Sequence, residues 1–362
     1  MKILLSGGGT GGHINPALAI ARYIQEKRPD TEFLFVGTHK GLEGELVPKA
    51  GFPITFIEVE GFRRKLTLQT FGTVRKMFRG YGQSKRILDE FQPDIVIGTG
   101  GYVCGPVVYA ASRKKIKTLV HEQNVIPGVT VKLLSKAVDG VLTSFPETSQ
   151  YIKGNLILTG NPISPDFLTC SGEDARRELG FDQRPLILAY GGSLGARRIN
   201  ETICGLIRKH GAEGRFQLLF ATGKREYDKV MAAMEGVNLP HVKIVPYLYN
   251  MPECMAAAEL VIARSGAMTV SELSAIGKPA ILIPSPNVAH NHQEYNARAL
   301  EQKGAAMVLL EQDLSAERLY SAVSDFLGDE KRQKKMAECS RIAGIRNATE
   351  TIYETVLSLT GK

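Results

Sequence analysis

An apolar run that feeds straight into a glycine-rich loop occurs twice in this chain, as KILLSGGGTGGH over 2–13 and as LILAYGGSLGAR over 186–197. Glycines at the end of a strand let the backbone turn sharply and bring main-chain amides close to whatever lies beyond the strand. Two such units predict two sheets, each with its own glycine loop, and 362 residues exceed what one ordinary core holds. Strand-like runs recur between helix-length segments at 3–6, 33–37, 54–59, 94–98, 118–121, 140–143 and 156–159. A second series follows at 186–190, 217–221, 242–246, 260–263, 280–284 and 306–310. Most are continuous Val/Ile/Leu/Phe runs, the pattern of parallel strands covered on both faces. The expected fold class is α/β: two consecutive Rossmann-like, doubly wound parallel-sheet domains. Gly160-Asn161-Pro162-Ile163-Ser164-Pro165 marks the break between them, and Ser171 is placed to cap the helix after it. The last segment, from Asn347 to Leu359, reads as a helix with Asn347 and Glu350 as its capping pair.

Composition narrows the setting. Hydrophobic residues at 43% and charged residues at 23% exclude disorder as the main state. Trp is absent, and no uncharged apolar run approaches the roughly 20 residues of a spanning helix. The opening MKILLSGGG is too short an apolar stretch for a secretory signal. Cys104, Cys170, Cys204, Cys254 and Cys339 are odd in number, far apart and free of any CxxC pair. They read as free thiols of an intracellular chain, with neither a disulfide framework nor a zinc site.

The net charge of +8 is unevenly spread. Residues 1–160 hold 21 Lys and Arg against 13 Asp and Glu, whereas the remainder balances at 24 of each. The excess is densest over 61–88, where Arg63, Arg64, Lys65, Arg75, Lys76, Arg79, Lys85 and Arg86 meet no acid. Leu68, Phe71, Val74, Phe78 and Tyr81 fall at helical spacing in the same stretch. Two readings stand: a core-facing helix with a solvated basic side, or a face that dips into an anionic bilayer. Nucleic acid is disfavoured, since no basic-aromatic RNA-binding signature accompanies the charge.

The loops carry the chemistry. Gly7-x-Gly9-x-x-Gly12 matches the dinucleotide fingerprint in form, but the second strand ends FLFVGTHKG, with no acid for a ribose until Glu43. Gly191 to Arg197 reads as a phosphate cradle, or as a tight turn capped by Ser193. Arg264 to Glu272 follows a strand and opens a helix, whose positive end is worth up to ~2 kcal/mol to a partly buried anion. Glu272 is placed either to accept from ribose hydroxyls or to close a Thr269-x-x-Glu272 capping box. His13 ends the first glycine loop at a strand's carboxyl edge, where α/β folds bind ligands, and is the candidate base. His121-Glu122-Gln123-Asn124 lies at another strand end. His290 and His292 lack an obvious third metal ligand, and no metal site is expected.

Taken in order, GGGTGGHINPA, IGTGGYVCGP, HEQN, GNP, GGSLGA, RSGAMTVSE and NHQEYNA closely resemble the MurG family of bacterial N-acetylglucosaminyltransferases, from Lys2 to about Ala343. The resemblance implies the GT-B architecture, two Rossmann-like domains facing across a cleft. Its domains would be an acceptor- and membrane-facing 1–163, a UDP-GlcNAc-binding 164–343, and a helix at 344–362 that crosses back to the first. It also implies a peripheral place on the cytoplasmic face of the membrane and a part in peptidoglycan synthesis, hence in cell shape and division. The partners implied are UDP-GlcNAc, lipid I and, through the basic 61–88 region, an anionic membrane surface, with no cofactor and no nucleic acid. Carried onto this sequence, Thr10, Gly11, Gly12 and Asn124 would line the donor side, and the Ser193 loop would take the diphosphate. Leu248 would pack near the uracil. Arg264 and the segment Ala267, Met268, Thr269 and Glu272 would hold diphosphate and ribose, while Gln293 would fix the sugar hydroxyls. Tyr102 and Glu122 would lie on the acceptor side. One departure is visible: where the family commonly has an Arg just after GNP, this chain has Ile163 and Ser164. That leaves open a transferase acting on another lipid acceptor, or an impaired UDP-sugar-binding paralogue.

Overall fold

A computed structural model describes residues 1–61 and 69–362. Among them, β1 (Lys2–Gly7), β2 (Glu32–Gly37), β3 (Ile54–Phe56), β4 (Ile95–Gly100), β5 (Lys117–Glu122), β6 (Gly140–Thr143) and β7 (Leu156–Leu158) form one sheet in the order β3-β2-β1-β4-β5-β6-β7. A second sheet has β8 (Leu186–Tyr190), β9 (Gln217–Ala221), β10 (Val242–Val245), β11 (Leu260–Ala263), β12 (Ala280–Leu282) and β13 (Met307–Val308) in the order β10-β9-β8-β11-β12-β13. Every pairing in both is parallel. The expected α/β class with two doubly wound sheets is what the chain forms. Each strand run of the sequence is present, and the differences fall at edges. β3 stops at Phe56 because its partner β2 ends at Gly37, and the Glu58 amide beyond it is taken by the Gln83 side chain at 2.7 Å.

The chain divides into Met1–Ile163 with Asn347–Lys362, and Ser164–Arg346. In the first unit the central strands bury both faces. Ile3, Leu5, Ile95 and Ile97 face one core, while Leu4, Val96 and Val120 face the other. The helix Ala348–Thr360 belongs to the first of these cores, where Ile352 and Val356 are fully buried. Tyr353 meets Tyr23 edge-on at 6.1 Å, and Lys362 pairs with Asp94 at 2.6 Å. Two buried aliphatic side chains contribute roughly 1.5–3 kcal/mol each, which is enough to hold a short terminal helix in place. The expected Asn347 side-chain cap is not made. Packing holds this helix instead. Ser171 does cap its helix, accepting from the Asp174 amide. The second unit has one dominant core around Ile187, Ile203, Phe220, Ile262 and Phe326.

In both sheets the strand order reverses between the first strand and its later neighbour, at β1/β4 and at β8/β11. The carboxyl ends at these reversals are where open α/β sheets hold ligands, because the two flanking loops diverge there. The segments beyond β1, β4, β8 and β11 carry most of the residues singled out in the sequence.

Candidate active site

Beyond β1, the glycine loop closes on the protein's own carboxylate. Glu43 is 1% exposed, at the start of helix Glu43–Lys49. Its Oε2 accepts from the Gly9 amide at 3.0 Å, and its Oε1 accepts from the Thr38 amide and hydroxyl at 2.9 and 2.8 Å. A Cβ at Gly8, Gly37 or Gly41 would lie 2.6 Å or less from this side chain. The Gly9 amide, in the middle of the dinucleotide fingerprint, is therefore taken by the protein's own carboxylate. Tyr102 continues the cluster, its hydroxyl 3.4 Å from the Thr38 hydroxyl and its ring against Gly9.

The next residues open outward. Thr10 is the N-cap position of helix Gly11–Lys27, and Thr10 and Gly12 are exposed. His13 stands half-buried in the first turn. Its Nδ1 lies 3.0 Å from the Thr99 carbonyl and 3.2 Å from Gln123 Oε1, and the Thr99 hydroxyl donates to the His13 carbonyl at 2.7 Å. Backbone and side chain of His13 are thus both tied to the carboxyl end of β4.

Beyond β5, the 121–124 segment is mostly buried. Glu122 does not project to an acceptor: it is 3% exposed, and its oxygens accept from the Asn124 and Gly128 amides at 2.9 and 2.8 Å. Burial raises its carboxyl above the usual range, and those amides pull the other way. Glu122 ties the two ends of the 124–128 loop together. His121 is fully buried, which pushes its imidazole down to about 4. Asn161 of the GNP turn donates to the Gln123 carbonyl at 3.0 Å and accepts from Ser144 at 2.9 Å.

In the second unit a pocket of about 440 Å³ opens beyond β8 and β11. Ser193, Leu248, Met268, Thr269 and Glu272 line it together, joined by Tyr190, Tyr247 and Met251. The second glycine loop reaches it because Gly195 and Gly223 pack backbone to backbone: a Cβ at Gly195 would lie 2.2 Å from the Thr222 carbonyl. Gly192, at φ +95°, makes the left-handed turn that leaves Ser193 exposed. Ser193 is no cap, since the N-cap position of helix Arg197–His210 is Ala196.

Helix Ala267–Ile276 begins after Gly266, which puts Thr269 inside its first turn and rules out Thr269-x-x-Glu272 as a capping box. Glu272 is half-buried, and desolvation pushes its carboxyl up to about 7. A carboxyl poised there both accepts and donates, which suits a diol. Neither this helix nor Arg197–His210 carries an acid in its first turn, so their positive ends are not neutralised locally.

Other expected residues stand elsewhere. Arg264 is not among the pocket-lining residues. Its guanidinium donates to the Ile283 and Pro284 carbonyls at 3.1 Å each and pairs with Glu311, which commits it to holding the ends of β11 and β12 together. Gln293 accepts from the Ser285 amide at 2.9 Å, and its carbonyl accepts from Ser265 at 2.8 Å. Ala267, the first residue of its helix, and Gln293 are likewise outside the pocket lining. At the departure, Ile163 is 7% exposed, while Ser164 lines the pocket and donates to Asp166 at 2.8 Å. Among the described residues that line the pocket there is neither Lys nor Arg, and two carboxylates, Asp166 and Glu272, are present.

Residues 3–143 match the model of the glycosyltransferase family 28 N-terminal domain, and residues 186–352 match that of the family 28 C-terminal domain. The chain belongs to glycosyltransferase family 28. A curated relative from Acetivibrio thermocellus is 51% identical over 98% of this chain and 97% of its own length. It is named UDP-N-acetylglucosamine--N-acetylmuramyl-(pentapeptide) pyrophosphoryl-undecaprenol N-acetylglucosamine transferase. The crystal structure of Acinetobacter baumannii MurG, 28% identical, superposes with a TM-score of 0.82 over 99% of each chain. A UDP-GlcNAc 2-epimerase from Neisseria meningitidis, bound to UDP-GlcNAc, reaches 0.69 at 16% identity and covers 99% of this chain and all (100%) of its own, which shows a shared fold alone. This family 28 chain therefore has the paired Rossmann-like domains of the GT-B class.

The basic stretch of this family 28 chain is partly outside the described residues: Arg63, Arg64, Lys65 and Leu68 fall there. Along helix Gln69–Phe91 the apolar stripe divides. Leu88 is 2% exposed and Tyr81 packs beside that core, whereas Phe78 is 68% exposed on the side that carries Arg75, Arg79, Lys85 and Arg86. Two cations of this stretch find acids just upstream, Lys76 on Glu60 at 2.6 Å and Arg79 on Glu58 at 2.7 Å. No helix among the described residues is long and apolar enough to cross a membrane.

Sequence reasoning missed Glu43 as the filler of the first cradle, and Tyr190 and Tyr247 as pocket walls. Glu43 was visible as the first acid after β2. Nothing in the spacing of the two tyrosines sets them apart from core or surface residues.

Proposed function

We propose that this chain is an inverting glycosyltransferase that moves GlcNAc from UDP-GlcNAc to the C4 hydroxyl of the MurNAc of lipid I, giving lipid II for peptidoglycan synthesis. The reading is carried by near-full-length identity to a relative named for that transfer. The pocket beyond β8 and β11 supports it as the donor site. There Leu248 and Tyr247 suit a flat base, Glu272 the ribose diol, and Ser193 with Met268 and Thr269 the diphosphate beside a helix N-terminus. UDP leaves as an anion that needs stabilisation more than a proton, and two helix ends without first-turn acids supply it. Lys224, whose Nζ is 5.2 Å from the Tyr247 ring, offers this rim the cation absent at Ile163 and Ser164. Arg264 supports the site from behind, by holding its strands.

His13 is the base. With its Nδ1 committed to acceptors, the neutral ring takes the C4 hydroxyl proton on Nε2 as the oxygen attacks the anomeric carbon. The carbon–oxygen bond to UDP breaks on the opposite face, with inversion to a β-1,4 link. Thr10, Gly11, Gly12 and Asn124 stand at the same loop ends and serve the sugar, and Gln293 orients its hydroxyls. Tyr102 lies on the acceptor side of this arrangement.

The outward face of helix Gln69–Phe91 suits a peripheral place on the cytoplasmic face of the membrane. Phe78 enters the interface and the cations meet anionic lipid, about 1 kcal/mol for each near the surface. Sedimentation with anionic but not neutral vesicles, weakened by Phe78→Ser with Arg75→Gln, is the expected result.

The deciding experiment is transfer of labelled GlcNAc from UDP-GlcNAc to a short-chain lipid I analogue, with EDTA present and a no-acceptor control. Acceptor-dependent product is expected. Donor consumed without acceptor would assign an epimerase or hydrolase. Turnover with a diacylglycerol acceptor instead would assign another lipid transferase, and no turnover with intact UDP binding an impaired paralogue.

A further inference from the structure

The buried side chains between β4, β5 and the GNP turn form a directed chain of hydrogen bonds that ends on His13. His121 Nε2 lies 3.0 Å from the Gly160 carbonyl, which only accepts, so Nε2 carries the proton and Nδ1 the lone pair. Gln123 Nε2 donates to that Nδ1 at 2.9 Å and to the Thr99 carbonyl at 2.9 Å. With its amino group facing two acceptors, the amide has one orientation, and its Oε1 is turned to His13 Nδ1 at 3.2 Å. The Thr99 carbonyl approaches the same nitrogen at 3.0 Å.

We propose that Gln123, oriented by His121, is a positioning residue that acts with the Thr99 carbonyl to keep His13 in its Nδ1–H tautomer, without charging the ring, and so leaves the lone pair on Nε2. This rests on the reading of His13 as the base. Two acceptors at Nδ1 exclude the other neutral tautomer, whose Nδ1 lone pair would face oxygen. Burial keeps His121 neutral at working pH, so the chain does not reverse. The backbone of Gln123 is itself pinned, its carbonyl accepting from Asn161.

The residue type is informative. A carboxylate in this place would orient the ring and also draw it toward imidazolium, which removes the lone pair near neutral pH. A neutral amide orients without charging. Two carboxylates are engaged elsewhere: Glu122 accepts from the Asn124 and Gly128 amides, and Glu43 from Thr38 and Gly9. Among the described residues, His121 and His13 are the titratable groups hydrogen-bonded to the Gln123 side chain.

The test uses the full chain labelled with nitrogen-15 at histidine, and long-range proton–nitrogen spectra at neutral pH. His13 is expected protonated at Nδ1 and bare at Nε2. In Gln123→Glu both nitrogens are expected to carry protons, and in Gln123→Met the ring is expected to stay neutral and protonated at Nδ1, held by the Thr99 carbonyl alone. In transfer assays Gln123→Glu is expected to lower kcat at neutral pH by at least about tenfold, recovering as pH rises, with the UDP-GlcNAc KM within about twofold. UDP binding by calorimetry checks that each variant is folded. A wild-type His13 protonated at Nε2 overturns the proposal. So does a tautomer and kcat unchanged in both variants. The spectra need no substrate, so they answer for Gln123 even if the reaction proves to be another.

Discussion

The two glycine loops look alike as sequence and end differently. Beyond β1 the loop wraps a carboxylate: Gly8, Gly37 and Gly41 crowd Glu43, and the Gly9 amide donates to it. Beyond β8 the loop packs backbone to backbone on Gly223 and leaves Ser193 at the edge of a pocket. Glycine at a strand end states that something comes close to the backbone. What comes close differs here, a side chain in one sheet and an open volume in the other. The first loop, which runs into His13, is thereby closed on a side chain, and the second borders the open pocket proposed to take the donor.

Substitutions test that division, beginning with the largest effect. His13→Ala is expected to lower kcat for transfer by about 10²–10⁴-fold and to leave UDP binding by calorimetry unchanged. Equal losses in both would remove His13 from catalysis. Glu43→Ala strips an acceptor from three donors and opens the first cradle. It is expected to cost ~3 kcal/mol, read as a lower Tm, with inorganic phosphate restoring part of it. A Tm that phosphate does not move would mean that the first loop is no cradle at all.

The second loop's neighbour gives a pH signature. Desolvation lifts Glu272 from 4.5 to about 7. The folded chain then holds a proton that the unfolded chain releases, so this contribution is full below pH 4.5 and is lost as pH rises through about 7. Against Glu272→Gln, the wild-type chain is expected to lose up to about 3 kcal/mol over that window, read by denaturant titration at several pH values. Parallel curves would place Glu272 in contact with water. Ser193→Ala should have the smallest effect. Since Ala196 holds the N-cap position, stability stays within about 0.5 kcal/mol. The donor KM rises about 2–10-fold, the worth of one hydroxyl contact.

Much of this was legible beforehand. Continuous apolar runs such as ILL, IVIG and LVIA state that a strand is covered on both faces, and that requirement implies parallel sheets with helices on each side. Glycine loops after β1 and β8 state where the backbone must turn. Other features were not legible, because they depend on partners distant in sequence. Thr269 and Glu272 fit a capping box until the helix is seen to start at Ala267, with Gly266 in the N-cap position. Arg264 fits an anion site until Glu311, 47 residues on, takes it. Glu122 fits an exposed acceptor contact until the Asn124 and Gly128 amides fold back onto it.

Periodicity and turn chemistry act over a few residues, so the sequence by itself determined the elements, their order and the two loops at which chemistry is placed. A buried polar group must find a partner wherever the fold brings one, so only the tertiary structure decided which loop is full and which is open. By the same rule, the orientation of one glutamine amide is decided by a histidine and two carbonyls. That orientation, with the Thr99 carbonyl, faces acceptors toward Nδ1 of His13.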